Sequence, residues 1–394
     1  MNFPLLFNQL KKADRELDHL SNKLSFYAVN PVNIDEERDK FFGSETYNPQ
    51  FKYEGYRENL EALRLKLHNI KTDDSVVGKI LEEIKQSYIQ KTYFLENRGN
   101  NEMFTSYSKN VYGEPDEGLV KRAREFMEIE PEKENKIYSS SEVVRKFRVA
   151  FFKYGFPWNV REKDMVSNAA VNVGKKEILI KKDSRFSENF LKRLIVHEVG
   201  THVARAENGE KQPYLFFKRG LPGYLMIEEG LAVLNEELNK CSNKYILKVY
   251  AGRVIAVDIA LRTSFRETYN ELKKYFPEHT AFRLATRAKR GLSDTSEPGA
   301  CTKDINYFKG YLALKDYLKS GGDLSKLYYG KIGLNHIDLL DKIPGLINPA
   351  FLPVFRHINY LIHHFSSLMR TIIFFPLTPL RTINSDLYRK FIRD

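Results

Sequence analysis

The sequence predicts an α+β protein that is predominantly helical. Apolar residues recur at helical spacing in several segments before residue 130 and in most of the chain after residue 188. Segments that alternate apolar and polar residues are confined to residues 158–180. With 394 residues, of which 42% are hydrophobic, the chain can bury a large core as two or three domains, or as one large domain with extensions.

The first region, residues 1–135, is predicted to be a helical N-terminal region. The apolar spacing predicts helices over residues 4–25, 56–93 and 116–127. The segment 30–53 contains Pro, Asn and Asp and is predicted to be irregular. The charged run 130–136 marks the boundary with the next region.

The second region, residues 136–345, is predicted to carry the function. A helix over 139–154 has serines 139–141 as candidate N-caps, and Ser187 is the candidate N-cap of a helix over 188–203. Strands are predicted at 158–160, 169–173 and 177–180, the last two joined by a hairpin turn. After a loop over 209–221, further helices are predicted over 226–239, 245–263, 266–275, 281–290 and 304–319.

The third region, residues 346–394, is an aromatic and basic tail that is predicted to pack on the body of the protein. The alternative is contact with a partner or a membrane surface. No run of about 18 uncharged apolar residues occurs, so no transmembrane helix is predicted. The N-terminus lacks the pattern of a signal peptide, and two cysteines in a chain of this size indicate a reducing compartment, so the protein is predicted to be cytoplasmic.

The formal net charge of +12 favours acidic partners such as nucleic acid, anionic lipid or an acidic peptide. The charge is spread along the chain, however, as it also is in proteins whose surface lysines serve solubility. No dense Lys/Arg cluster or nucleic-acid-binding module is present, so we predict no nucleic-acid partner. The sequence does not indicate an oligomeric state.

Two short motifs combine residues that suit a zinc hydrolase. His197 and His202 bracket Glu198, and the pair Glu228 and Glu229 follows on the next predicted helix. Zinc hydrolases use two imidazoles and a carboxylate as ligands, and a further carboxylate as general base. The alternative is two unrelated histidines on one helix, but the apolar residues before them indicate a buried helix on which such polar groups need a reason.

The histidines are five residues apart, whereas the familiar zinc helix places them four apart. At roughly 100° per residue, five steps separate two side chains by about 140° around an α-helix. Both imidazoles can face one ion only if the helix carries a π-bulge or ends inside the motif. Because Gly200 is a poor helix former, we predict a local distortion at Val199–Thr201.

The chain resembles the microtubule-associated tyrosine carboxypeptidase family, whose bacterial relatives are named for a QEGLA motif. The resemblance covers roughly residues 30–345 and rests on ordered segments of the sequence. These segments are HEVGTH (197–202), EEGLA (228–232), RAKRGL (287–292), Asp294, Pro298-Gly299, Thr302-Lys303-Asp304 with Tyr307 and Gly310, and YNPQFKY (47–53).

The resemblance implies a zinc metallopeptidase of the zincin-like class that removes a C-terminal residue, which is the tyrosine of α-tubulin in the eukaryotic members. It implies that His197 and His202 are metal ligands, that Glu198 is the catalytic base and that Glu229 is the third ligand. This chain has Glu228 where the motif has Gln. Since adjacent helical residues point about 100° apart, only one of the two glutamates should bind the metal; Glu228 is then a partner of a ligand or a solvated charge.

A carboxypeptidase also needs a cation for the terminal carboxylate of its substrate and a donor for the tetrahedral oxyanion. Tyr307 is our candidate donor, with Tyr311 as the alternative. Lys303 and Asp304 are equally compatible with an ordinary helix start. The candidate cations are Lys303, Arg287, Arg290 and Arg262.

The fold expected from these motifs is a zincin-like core with a small antiparallel sheet and a helical N-terminal extension. The predicted strands precede the histidines, where the edge strand that pairs with substrate lies in such enzymes. The expected substrate is a protein or peptide C-terminus, and the basic charge suits an acidic tail such as that of tubulin if the source has tubulin. The alternative is a non-catalytic regulatory or binding protein that keeps the fold. The terminal-residue preference and the choice between endo- and exopeptidase remain open.

Overall fold

A computed structural model of the chain describes residues 3–130, 135–165, 168–172 and 174–352, and this part is mostly helical. The N-terminal region begins with a long helix, and a 3₁₀ segment (Phe26–Val29) follows it. Its α-helices are α1 (Phe3–Ser21), α2 (Ile34–Phe42), α3 (Leu60–His68), α4 (Val76–Glu96), α5 (Asn101–Tyr112) and α6 (Glu117–Arg124).

The N-terminal helices differ from the prediction in three places. The expectation of an irregular segment over 30–53 is wrong for α2, which tertiary contacts hold: buried Glu37 accepts hydrogen bonds from the Tyr47 hydroxyl and the Gln50 amide. The predicted helix over 56–93 is two helices, because Ser75 caps a new helix start. Helix α5 was not predicted.

The strands form two small sheets, and the predicted hairpin is present. Strand β1 (Lys136–Ser139) pairs antiparallel with β5 (Arg185–Ser187). Strand β4 (Glu177–Lys181) lies between β2 (Asn159–Lys163), which is parallel to it, and β3 (Ala169–Asn172), which is antiparallel. For the three predicted strands the expectation of an antiparallel sheet is therefore corrected to a mixed one, because β4 uses its second edge to bind the earlier strand β2, whereas β1 and β5 form an antiparallel sheet.

The helices of the second region follow the predicted order. Ser139 caps α7 through a capping box with Glu142, and Ser187 caps α8, as expected. The predicted loop over 209–221 is wrong in part, since it contains the end of α9 and the short α10. The helices are α7 (Ser140–Tyr154), α8 (Glu188–Leu194), a π-helix (Ile195–Val203), α9 (Ala204–Glu210), α10 (Phe216–Arg219), α11 (Tyr224–Leu238), α12 (Lys244–Ala260), α13 (Phe265–Lys273), α14 (Glu278–Lys289) and α15 (Asn306–Lys319), with 3₁₀ segments at Thr302–Ile305, Leu324–Tyr329 and Leu334–Lys342.

Helix α11, which carries the EEGLA motif, packs between the π-helix and α15. It approaches α15 backbone to backbone, because a Cβ atom added at Gly230 would lie 2.2 Å from the carbonyl carbon of Gly310. A side chain at either glycine would force the two helices apart. This close approach fixes the position of Glu228 and Glu229 along the axis of α11 relative to the π-helix.

The ends of the described chain are bound to the body of the protein. In α1, the Asp14 carboxylate accepts from the amides of Leu215 and Phe216 at the start of α10. The side-chain amide of Gln212 pairs with the backbone of Ile347 in both directions. The rest of the predicted tail, from residue 353 onward, lies outside the described residues, and the three-region division remains a prediction.

The N-terminal helices and the later helices bury their apolar side chains in the same hydrophobic core. Among the helices that the structure describes, none has the length and apolar character required to cross a bilayer.

Candidate active site

The helix that carries His197 and His202 changes its hydrogen-bonding register within the motif. Between α8 and α9 it is a π-helix, and the amide of Ala204 donates to the carbonyl of Val199, five residues earlier. A π-helix closes i→i+5 bonds, so residues five apart lie on one face, as residues four apart do in an α-helix. The predicted distortion is confirmed, and it extends over the whole motif.

The two imidazoles face a single carboxylate oxygen. Their ring centroids are 5.0 Å apart. The Oε2 atom of Glu229 is 4.0 Å from Nε2 of His197 and 3.9 Å from Nε2 of His202. The carboxylate of Glu198 is also close, since its oxygen and the ligand atoms of the two histidines all lie within 4.8 Å of one another. Four side chains from two helices thus converge on one small volume.

A separate carboxylate orients each imidazole. The Nδ1 atom of His197 is 2.7 Å from Oε1 of Glu236, and Nδ1 of His202 is 3.0 Å from Oε1 of Glu228. An ionised carboxylate can only accept a hydrogen bond, so each Nδ1 carries a proton, and in the neutral form of each imidazole the free lone pair is on Nε2, the nitrogen on the side of Glu229. We call these five residues, with Glu198, the imidazole side of the site.

Buried cations compensate the charge of Glu228. The guanidinium of Arg205, which is fully inaccessible, donates to its Oε2, and the Lys331 ammonium lies 3.2 Å from its Oε1. Burial opposes the ionisation of Glu228, but the charges of Lys331 and Arg205 outweigh it and hold the pKa of this carboxyl well below its usual value. The remaining Arg205 donors bind the carbonyls of Leu327, Gly330 and Ile332.

The carboxylates make this site strongly negative. Burial favours the neutral form of His197, but the hydrogen bond to Glu236 and the charges of Glu198, Glu236 and Glu229 outweigh it and raise the pKa of His197 to about 9. Two imidazole nitrogens and one carboxylate oxygen are the ligand set of a catalytic zinc site, and carboxylate-bound imidazoles are typical of zinc ligands. His197, His202 and Glu229 could therefore hold a zinc ion, and the negative charge favours a cation at this point.

On the opposite wall, two arginines share one buried aspartate. The carboxylate of Asp304 accepts from Nε of Arg287 and, at 2.7 Å, from Nη2 of Arg290. Burial opposes the ionisation of Asp304, but the charges of Arg287 and Arg290 outweigh it and hold the pKa of this carboxyl well below its usual value. These two arginines are therefore already bound by the protein itself.

Two other cations lie on this wall, and one of them, Arg253, keeps unused hydrogen-bond donors. The Arg253 guanidinium lies 4.0 Å from the ring centroid of Tyr307, and its buried Nε and Nη1 atoms have no hydrogen-bond partner among the described residues. The Lys303 ammonium rests over the Phe26 ring at 4.9 Å, and the charge of Glu229 acts on it. Burial lowers the pKa of Lys303. We call this wall, formed by Arg253, Arg287, Arg290, Lys303 and Asp304, the basic side.

Tyr307 lies between the two sides. Its ring stacks on that of Tyr250 with centroids 5.4 Å apart, and it is in the electrostatic field of both Glu229 and Arg253. Burial and the charge of Glu229 raise the pKa of Tyr307 well above its usual value, so its hydroxyl keeps its proton. The alternative donor, Tyr311, binds Glu237 at 2.6 Å.

The chain is similar to a known protein family over most of its length. The model of the microtubule-associated tyrosine carboxypeptidase family matches residues 39–371.

The chain belongs to this family.

Two curated relatives are similar to this chain over part of their own length. Human microtubule-associated tyrosine carboxypeptidase 1 is 26% identical over 361 residues, which cover 88% of this chain and 68% of the relative. The mouse protein of the same name is 25% identical over 297 residues, which cover 73% of this chain and 56% of the relative. The chain thus spans between about half and two thirds of the length of these family members.

The structure brings together most of the site residues predicted from the sequence. His197, Glu198, His202 and Glu229 converge, and Lys303 and Tyr307 lie beside them. Arg262 is placed elsewhere: it pairs with Asp258 through two hydrogen bonds of 2.9 and 2.8 Å, and 65% of its side chain is exposed. Within the described residues we find no contact between Arg262 and Glu229 or Tyr307.

Three residues of this candidate site were not identified from the sequence. Glu236 follows Glu229 by seven residues, which places both on one face of α11, and this spacing could have indicated it. Arg205 and Arg253 had no such signal, because their partners lie on other elements of the fold.

Proposed function

We propose that this protein is a zinc-dependent carboxypeptidase with a zincin-like catalytic core. The observation that carries the proposal is the position of Glu229, whose Oε2 is 4.0 Å and 3.9 Å from the two Nε2 atoms. Both imidazoles are oriented for this arrangement by carboxylates on their Nδ1 atoms. Buried imidazoles that serve only packing do not need such a convergent set of acceptors.

His197, His202 and Glu229 would hold the zinc ion, which supplies a Lewis acid that polarises a carbonyl and acidifies water. Glu198 is the general base: its carboxylate takes the proton of the attacking water and delivers it to the leaving amine. Tyr307 keeps its hydroxyl proton and donates a hydrogen bond to the oxygen on which negative charge develops.

The basic side binds the terminal carboxylate of the substrate. Arg287 and Arg290 share the single charge of Asp304, whereas Arg253 has two buried donors without partners among the described residues and Lys303 lies in the field of Glu229. We propose that Arg253 and Lys303 bind this carboxylate. A cation pair that binds a free terminal carboxylate favours the last residue of a chain over internal peptide bonds.

The identity of the released residue is inferred from the names of the relatives. Both are tyrosine carboxypeptidases, so we propose that this chain removes a C-terminal tyrosine from a protein or peptide. Tubulin is the proposed substrate if the source has it, and the basic charge of the chain suits an acidic tail.

Glu198→Gln tests the assignment, because it keeps the shape of the side chain and removes the base. We expect the variant to bind zinc like the parent and to lose hydrolysis by a factor of at least about 100. The measurement is mass spectrometry of tyrosine-ended peptides after incubation, with zinc content determined in parallel. The matched control is Glu210→Gln at the end of the same helical rod, where the side chain pairs with Lys176 and Lys218 on the surface.

Two results would contradict the proposal. If Glu198→Gln cleaves at the parent rate, Glu198 is not the general base. If the parent cleaves peptides with an amidated C-terminus as fast as peptides with a free C-terminus, the protein is not a carboxypeptidase. A parent protein that holds zinc yet cleaves no member of a peptide library favours the non-catalytic alternative.

A further inference from the structure

A buried polar triad connects the π-helix to two other elements. Asn235 of α11, Thr201 of the π-helix and Tyr328 of the 3₁₀ segment Leu324–Tyr329 are all inaccessible to solvent. The Asn235 side-chain amide donates to the Thr201 hydroxyl and to the Tyr328 hydroxyl, both at 2.8 Å. Since Asn235 uses both hydrogens of its amide, each hydroxyl is left with its own hydrogen to donate.

Both hydroxyls donate to carbonyls of the π-helix. The Thr201 hydroxyl lies 3.3 Å from the carbonyl of Val196, and the Tyr328 hydroxyl lies 3.1 Å from the carbonyl of Gly200. A threonine in an α-helix bonds the carbonyl three or four residues earlier, whereas Thr201 bonds the carbonyl five residues earlier. The side chain therefore follows the i→i+5 register of the backbone, and the triad stabilises that register from outside the helix.

The register decides where the histidines point. In an α-helical register, His202 would be rotated by about 140° from His197, and the two Nε2 atoms could not share Glu229. Gly200 does not impose the π-helix: its backbone is not in the left-handed region, and a Cβ atom added there meets nothing within 4 Å. The hydrogen bonds from the hydroxyls of Thr201 and Tyr328 to the carbonyls of Val196 and Gly200 are therefore the contacts that favour the π-helical register over the α-helical one.

We propose that Asn235, Thr201 and Tyr328 are positioning residues that hold the π-helical register and thereby bring His197 and His202 to one metal ion. The triad acts through the helix, since none of its members is a ligand. Its role toward zinc rests on the proposed function, whereas its role in the register does not.

The test compares hydroxyl deletions that differ in one contact. Tyr328→Phe removes the hydroxyl that binds Gly200, and Tyr329→Phe is the matched control, because the adjacent hydroxyl binds Asn348 at 2.7 Å. Thr201→Val removes the second hydroxyl at constant shape, and Thr201→Ser restores it. Zinc affinity is measured by chelator competition, the ligand geometry by the absorption spectrum of the cobalt-substituted protein, and folding by thermal unfolding without metal.

We expect Tyr328→Phe and Thr201→Val to weaken zinc binding by about 10- to 100-fold and to change the cobalt spectrum. Tyr329→Phe and Thr201→Ser should match the parent in both. The positioning role is refuted if the two deletion variants lose only thermal stability while their zinc affinity and cobalt spectrum stay those of the parent.

Crystal structures of the parent and Thr201→Val separate this inference from the proposed function. A parent that binds no zinc contradicts the proposed function, and the register is then judged from the backbone alone. A shift of residues 195–203 toward i→i+4 bonding in the variant supports the inference, whereas an unchanged π-helix overturns it.

Discussion

On the imidazole side, both imidazoles and one of the carboxylates behind them have charged partners: His197 has Glu236, His202 has Glu228, and Glu228 has Arg205 and Lys331. On the basic side, only part of the charge is matched. Asp304 binds Arg287 and Arg290, while Arg253 keeps two buried donors without partners in the described chain.

The difference distinguishes residues that build the site from residues that await a ligand. A buried donor without a partner is costly to the folded protein and is expected where a ligand completes it. Arg287 and Arg290, which the sequence indicated as carboxylate anchors, bind Asp304, although Arg290 keeps one buried Nε without a partner in the described chain. Arg253, which the sequence did not indicate, keeps two such donors and is therefore the stronger candidate.

The largest effects are expected from substitutions of the two adjacent glutamates on the imidazole side, one a proposed ligand and the other a partner of a ligand. Glu229→Ala should lose zinc and hydrolysis, while the free energy of unfolding of the metal-free protein changes by less than about 1 kcal/mol. Glu228→Gln should lower that free energy by about 3–5 kcal/mol, because it leaves Arg205 buried without its counter-charge. Metal analysis and urea unfolding measure the two effects. If the effects were exchanged between the variants, the assignment of ligand and partner would be wrong.

The next effect tests the basic side with two arginines of α12 and the segment after it. Arg253→Gln should lower kcat/KM for a peptide with a free C-terminus by about 100-fold, since an unpaired carboxylate costs roughly 3 kcal/mol. Arg262→Gln is the control, because Arg262 binds Asp258 on the surface. Steady-state kinetics on free and amidated peptides check both. Equal losses for the two variants would remove Arg253 from the substrate site.

The smallest effect contrasts two imidazoles in the metal-free protein. Carboxylates raise the pKa of His197 to about 9, whereas burial lowers the pKa of His336 to about 4. The folded pKa of His336 lies below the unfolded value of 6.5, so its contribution is present above pH 6.5 and is lost as the pH falls toward 4.

Unfolding by urea across this range should show a loss of up to about 3 kcal/mol that His336→Gln reduces. The contribution of His197 has the opposite sign, since it is present below pH 6.5 and is lost as the pH rises through about 9. If the free energy of unfolding falls equally between pH 6.5 and 4 in the parent and in His336→Gln, groups other than His336 cause the acid sensitivity.

The sequence predicted helices and strands well where a capping residue or a regular spacing of apolar residues was present. Ser139 and Ser187 cap the helices that they were expected to cap, and the helix order after residue 188 was anticipated. It failed where residues far along the chain pack on an element, as in α2, whose Phe41 ring contacts the rings of Phe265 and Tyr269. It also missed the parallel pairing of β2 with β4, because pairing between strands is not encoded in the alternation within either one.

By itself, the sequence indicated the candidate ligands, the family and the distortion of the helix. The distortion could be predicted because the spacing of His197 and His202 constrains the geometry of one continuous element. The tertiary structure decided which of the two adjacent glutamates faces the imidazoles, that Glu236 orients His197, and that Arg253 rather than Arg287 is left with unused donors. These choices depend on how α11 packs against the π-helix and how α12 packs against α14. Spacing fixes directions around a single helix axis, but it carries no information about the rotation of one helix relative to the next.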